Sequence, residues 1–335
     1  MCGLVGSLSR RIGSVFFLVS VFVAAGFAQT SIDDVHITAR SIAPDLHAPH
    51  TLLPKGIDVI RSSTDLVMVP VTITDNLNRP VIGLGQNNFQ LYEDKKPQEI
   101  RNFSSEDTPV SIGLIVDMSG SMANKLDRTR EAVEAFCKEA NPQDEFFMIT
   151  FADAPQLATD FTDNPDEIQS SLVTSRSKGR TSLLDAIYMG LRKMKDARYP
   201  RKALLILSDG GDNHSRYSER DVTGAVKEAD VLLYAVGTYD RYVNTQEEML
   251  GPQLLESVTE VTGGKAYTLT NLQDLPAVTR SIGAQLRHQY MIAYRPQSQH
   301  RNGKWYKISV KLRLPKRIHA FLRVNARPGY YASPE

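Results

Sequence analysis

Hydrophobic positions in the middle of the chain follow two rhythms that alternate. Ser111–Val116, Glu145–Phe151, Ala203–Leu207 and Val231–Val236 are short apolar runs of the kind that form strands buried on both faces. Between them lie stretches with apolar residues three or four apart. These predict helices over Leu126–Ala140, from Asp163-Asn164-Pro165 through Leu172, and over Glu219–Ala229. Thr181–Met194 is the clearest helix, with Leu183, Leu184, Ile187, Tyr188, Leu191 and Met194 on one face. Ser182 followed by Asp185 three residues later reads as its N-cap. Helix Pro252–Val261, a short strand Lys265–Thr268 and helix Leu272–Leu286 continue the series. The alternation predicts an α/β fold, a doubly wound and mainly parallel Rossmann-like sheet over residues 109–288.

On both sides of this region the period becomes two. Val67–Thr74, Phe89–Glu93 and Glu99–Phe103 read as strands joined by the turns Asp75–Pro80 and Asp94–Pro97, and Pro70 predicts an edge strand or a bulge. After residue 289, Tyr290–Tyr294 is a strand, Asn302-Gly303 a hairpin turn, and Trp305–Leu314 alternates apolar with polar, mostly basic, residues; Ala320–Val324 is a further candidate. Neither flank (58–108 or 289–335) has enough strands for a core of its own. The expectation is one smaller all-β domain built from both, with the α/β domain inserted; separate packing of each flank on the α/β domain is the alternative.

The N-terminus bears on compartment. Arg10 and Arg11 precede an apolar run, Val15–Phe27, too short to span a bilayer, and Gly26-Phe27-Ala28 offers small residues for cleavage. Residues 1–28 read as a secretory signal peptide, with an uncleaved anchor as the alternative, and residues 29–57 as a flexible polar leader. Cleavage would leave no transmembrane segment, in the periplasm, on the cell surface or outside the cell. Cys137 is then the one remaining cysteine, on the apolar face of a helix, so no internal disulfide forms. A formal net charge of +1 on 335 residues gives no field that would select nucleic acid. Residues 290–334 hold ten Lys and Arg and no acidic residue, a local site for an anionic surface polymer, although much of it is one solvated strand face.

The chemistry gathers where strands end. Ser111–Val116 runs into Asp117, Ser119 and Ser121 on a turn containing Gly120, and the carboxyl ends of buried strands are where open α/β sheets bind ligands. Carboxylate and hydroxyl oxygens suit Mg²⁺ or Mn²⁺ better than Zn²⁺. Lys178–Ser182 places the Thr181 hydroxyl at a helix N-terminus, and Ala203–Ser208 ends in Asp209-Gly210-Gly211-Asp212-Asn213. His214 beside them reads as a solvated loop residue. In this order the three segments resemble the von Willebrand factor A-type domain and its metal-ion-dependent adhesion site. That family's Asp-x-Ser-x-Ser, Thr and Asp fall here on Asp117, Ser119, Ser121, Thr181 and Asp209. Val71–Asp75, Phe89–Asp94 and Arg327-Pro328-Gly329-Tyr330 extend the resemblance to a secreted bacterial group, the VWFA-related domain family.

The resemblance implies a protein-binding module of adhesion type, in which the cation accepts an Asp or Glu carboxylate from a partner protein. Two carboxylates about 4 Å apart repel by on the order of 4 kcal/mol at an effective dielectric near 20, which a divalent ion converts to attraction. A structural envelope protein whose metal site only stabilises the fold is the alternative. A metal-dependent hydrolase is a weaker one, since no general base with a matching motif is present and no phosphate loop, His-Glu-x-x-His or Gly-x-Ser-x-Gly occurs. The expectation is a protein that is not an enzyme.

Overall fold

A computed structural model of the chain describes residues 66–332, apart from 175–176, 210, 240–245, 297–301, 316 and 318–320. The signal peptide and leader read from the sequence lie outside the described residues. In chain order the elements are β1 (Val67–Asp75), β2 (Phe89–Glu93), β3 (Lys96–Gln98), β4 (Ile100–Ser104), β5 (Ser111–Asp117), α1 (Leu126–Cys137), β6 (Glu145–Phe151), β7 (Pro155–Thr162), α2 (Pro165–Thr174) and α3 (Leu183–Lys193). Then come β8 (Lys202–Ser208), α4 (Glu219–Glu228), β9 (Leu232–Thr238), α5 (Gln246–Glu260), β10 (Lys265–Leu269), α6 (Leu275–Arg287), β11 (Tyr290–Tyr294), β12 (Trp305–Leu312), β13 (Leu322–Ala326) and β14 (Gly329–Tyr331).

The apolar runs form the centre of a six-stranded sheet ordered β10-β9-β8-β5-β6-β7, parallel except for β7. Every residue of β5 is buried, because helices cover both faces. Ile112, Leu114 and Val116 point to one side, where they meet Val133 and Phe136 of α1 and Ile282 and Leu286 of α6. Ile115 points to the other, packed with Leu204, Ile206, Ile187 of α3 and Val258 of α5. Each such side chain contributes about 1.5–3 kcal/mol by leaving water. Gly113 is a spacer: a Cβ there would lie 2.3 Å from the Phe147 ring and 2.5 Å from Leu204. This is the doubly wound α/β architecture the alternation predicts.

The flanking segments build two antiparallel sheets, β13-β1-β11-β4 and β14-β12-β2-β3, and each takes strands from both ends of the described chain. They share a core of Val69, Val71, Ile73, Phe89, Leu91, Tyr290, Ile292 and Ile308. Glu93 of β2 accepts hydrogen bonds from Tyr294 and Tyr330, 2.6 and 3.0 Å, which ties the N-terminal flank to the C-terminal one.

Several local expectations change. Strand β7 has no counterpart in the sequence reading: as an edge strand half in solvent it never shows two-residue alternation. Asn302-Gly303 does not close a hairpin between β11 and β12, because β1 and β4 occupy both hydrogen-bonding sides of β11 and β12 pairs with β2 and β14. Pro70 sits in a strand flanked on both sides, but β13 pairs with β1 only from Val71 onward, so Pro70 has β11 as its one strand neighbour. The turn at Asp94 is shorter than expected: Asp94 and Lys95 take φ of 43° and 71°, and strand β3 starts at Lys96. Helix α5 begins at Gln246 and carries Pro252 inside it, rather than starting at that proline. The last candidate strand runs over Leu322–Ala326, two residues past its expected end at Val324; its expected start at Ala320 lies outside the described residues.

Candidate functional site

The sheet order makes the position of the site explicit. From β5 the chain steps to β6 on one side and later returns to β8 on the other, so the order reverses between β5 and β8. A crevice forms at the carboxyl ends of strands at such a switch point. Asp117 is the last residue of β5, and Asp209 follows the last residue of the adjacent parallel strand β8. The two carboxylates therefore leave the sheet side by side, both buried at 0% and 4% exposure.

After Asp117 the backbone folds into a 3-10 turn over Gly120–Met122. Asp117 orders this turn through Oδ1, which accepts the Ser119 N–H at 2.8 Å, while Oδ2 accepts the Ser208 hydroxyl at 2.6 Å. Ser119 stands at the N-cap of the turn without using its side chain as a cap. Its hydroxyl lies 3.0 Å from that of Ser121 instead. Ser119 is buried and Ser121 exposed, so the pocket opens to solvent on the Gly120-Ser121 side.

The Thr181 segment is held against this turn by backbone bonds. Gly120 N–H donates to Gly179 O at 3.1 Å, Lys178 N–H to Met118 O at 2.9 Å, and the Ser177 hydroxyl to Ser119 O. Gly179 takes φ +105°, and a Cβ there would meet the Asp153 carboxylate at 2.7 Å. Thr181 is 6% exposed and precedes α3 by two residues. Ser182 occupies the N-cap, as its type suggested, but its hydroxyl makes no cap bond and finds no partner among the described residues. The first turn of α3 is satisfied from the loop after β8: Asp212 accepts Leu184 N–H at 2.9 Å and Ser215 Oγ accepts Asp185 N–H at 3.1 Å. In return Asp185 accepts the Arg216 and Tyr217 N–H groups. Asn213 completes the clasp, its Oδ1 accepting Thr181 N–H at 3.0 Å and its N–H donating to Thr181 O at 3.1 Å. The loops carrying Thr181 and Asp209 are thus one hydrogen-bonded unit.

All five residues singled out by the sequence sit on these three converging loops. Sequence reasoning passed over the groups that position them: Ser208 on Asp117, the Asp212–Asn213 clasp, and Lys125. Asp212 and Asn213 were visible as polar neighbours of Asp209, whereas nothing local marks Lys125. It lies at the foot of α1, 5% exposed, with Nζ 3.0 Å from Thr238 O and 4.0 Å from Asp209 Oδ2. His214 is exposed, with Nδ1 3.1 Å from Arg180 Nη1, in agreement with a surface role.

Electrostatically the site is poised for a cation. Burial, and after it the charge of Asp209, push the Asp117 carboxyl up to about 6, against the hydrogen bonds from Ser208 and Ser119 that favour the anion. Asp209 Oδ2 is buried and has no hydrogen-bond partner among the described residues. An orphaned buried carboxylate oxygen beside a destabilised carboxylate is what a hard cation relieves. Two carboxylates with three hydroxyls are the donor chemistry of Mg²⁺ or Mn²⁺. The residues fit such an ion.

Comparison with known proteins bears on the same segment. The family model of the von Willebrand factor type A domain matches residues 112–211. Human inter-alpha-trypsin inhibitor heavy chain H4 is 25% identical over 134 residues, 36% of this chain and 14% of that protein. A UPF0353 protein of Mycolicibacterium gilvum (strain PYR-GCK) is 20% identical over 201 residues, 52% of this chain and 60% of that one. The chain thus spans less than two thirds of the length of either curated relative. Among solved structures, a von Willebrand factor type A protein from Catenulispora acidiphila aligns with a TM-score of 0.48 at 11% identity, over 82% of this chain and 75% of the other. With strand order, switch-point loops and family match in agreement on one segment, the chain carries a von Willebrand factor type A domain.

Proposed function

We propose that this protein is an interaction module that binds a protein partner through a divalent cation, Mg²⁺ or Mn²⁺, held by Asp117, Ser119, Ser121, Thr181 and Asp209. Families with this domain are mostly non-enzymatic interaction modules. The observation that carries the proposal is the pairing of two buried carboxylates at the switch point, one pushed up to about 6 and the other with an orphaned oxygen. When bound, the ion supplies positive charge and an open coordination position that suits a carboxylate oxygen. The chain's own residues do the rest. Asp117 and Ser119 are fixed by the turn, Thr181 is fixed by Asn213, and the exposed Ser121 marks the side from which a partner's Asp or Glu would approach. On the pattern of residues 10–28, the module acts after export, on the cell surface, in the periplasm or outside the cell. Among the described residues no helix is long and apolar enough to cross a membrane.

The test is capture from an envelope extract on immobilised protein, in Mg²⁺ and in EDTA, with Asp209→Ala in parallel. A protein retained in Mg²⁺ and lost both in EDTA and with the variant supports the proposal. Retention indifferent to all three conditions overturns it.

A further inference from the structure

We infer that Lys125 is a built-in cation of this centre, which weakens its hold on a divalent ion and makes the loaded centre more positive toward an anionic ligand. The inference rests on the proposed reading of the centre and concerns its regulation. Lys125 is buried, and its side chain is pinned at both ends. The backbone is fixed where α1 starts: its N–H donates to Met122 O at 2.9 Å, and its carbonyl accepts Thr129 N–H at 2.9 Å and the Thr129 hydroxyl at 3.0 Å. The ammonium donates to Thr238 O, 3.0 Å away at the end of β9. It thereby spans from the turn after β5 to the far side of β8, and it cannot swing to water without abandoning that carbonyl.

Its distance from Asp209 shows what kind of interaction this is. At 4.0 Å the ammonium lies beyond hydrogen-bond reach of Oδ2, and that oxygen has no other partner among the described residues. The coupling is therefore one of charge, in a site where burial makes charge count for more than at the surface. With Lys125 the empty centre is one charge unit less negative than the same centre without it. The same one-unit difference persists once a divalent ion is bound. The same lysine thus opposes the incoming cation and adds positive charge that favours an anion once the cation is in place. A residue acting only on folding would not move these two affinities in opposite directions.

Lys125→Gln removes the charge and keeps a donor for the Thr238 carbonyl. Mn²⁺ binding is measured by calorimetry on the full chain, followed by acetate binding to the Mn²⁺-loaded protein as the simplest carboxylate. The variant is expected to bind Mn²⁺ at least fivefold tighter than the wild type, and its loaded form to bind acetate at least fivefold more weakly. Mn²⁺ affinity that is unchanged or lower while the wild type binds normally overturns the inference. So does a Lys125→Gln variant that fails to fold, which would make the lysine a folding residue. A wild type that binds no Mn²⁺ is a different failure, that of the proposed centre itself.

Discussion

Asp117→Asn should stabilise the protein when no cation is present and destabilise it relative to the wild type when one is. The Asp117 carboxyl is wholly buried and pushed up to about 6, from the usual value of 3.8 that it regains in the unfolded chain. A carboxyl displaced upward contributes stability that is fully present below pH 3.8 and is lost as pH rises through 6. At pH 7.5 the ionised side chain therefore costs roughly 3 kcal/mol, from about two pH units at 1.36 kcal/mol each. The amide is isosteric: its oxygen can keep the Ser119 N–H, and its NH₂ can face the Ser208 hydroxyl, which turns to accept. Recovery of about 1–3 kcal/mol corresponds to a melting temperature roughly 3–10 °C higher in EDTA at pH 7.5. The advantage should vanish by about pH 4, where the wild-type group is protonated too. At 1,000 times its dissociation constant a cation adds about 4.1 kcal/mol to the wild type and little to the variant, so the order reverses. Thermal melts of both proteins at pH 7.5 and pH 4, with Mg²⁺ and with EDTA, make the comparison. The variant melting below the wild type in EDTA at pH 7.5, or one order of stability in all four conditions, would refute the reasoning.

Two further substitutions probe the scaffold. Asp212→Ala deletes the acceptor for Leu184 N–H and for the Ser215 hydroxyl, and should cost about 1–2 kcal/mol in a urea titration while weakening Mn²⁺ binding, because the Thr181 loop loosens with it. Gly113→Ala forces a methyl into the Phe147 ring and Leu204, and should cost about 1–3 kcal/mol in the same titration with no change in m-value.

The sequence made the α/β domain legible because its strands are buried on both faces and its helices on one, so burial imprints each period directly. The strand ends carrying Asp117 and Asp209 could be placed together for the same reason: parallel neighbours end on one side. What escaped depends on partners distant in sequence. Ser182 looks like a cap by type, but the first turn of α3 is capped by Asp212 and Ser215, about thirty residues away, and no local pattern encodes that. Strand β7 is held by its neighbour β6 rather than by alternation, and the apparent hairpin at Asn302-Gly303 gave way to sheet sides already occupied. Lys125 lies four residues beyond Ser121, in a turn whose residue types read as solvated surface; its ammonium is held by the Thr238 carbonyl of β9, more than a hundred residues away.

The most direct measurement is anomalous diffraction from crystals of the full chain soaked in Mn²⁺. One strong peak is expected, enclosed by Asp117, Ser119, Ser121, Thr181 and Asp209 and absent in Asp209→Ala crystals treated alike. No peak there in the wild type, or a peak elsewhere with this centre empty, would contradict the proposed centre.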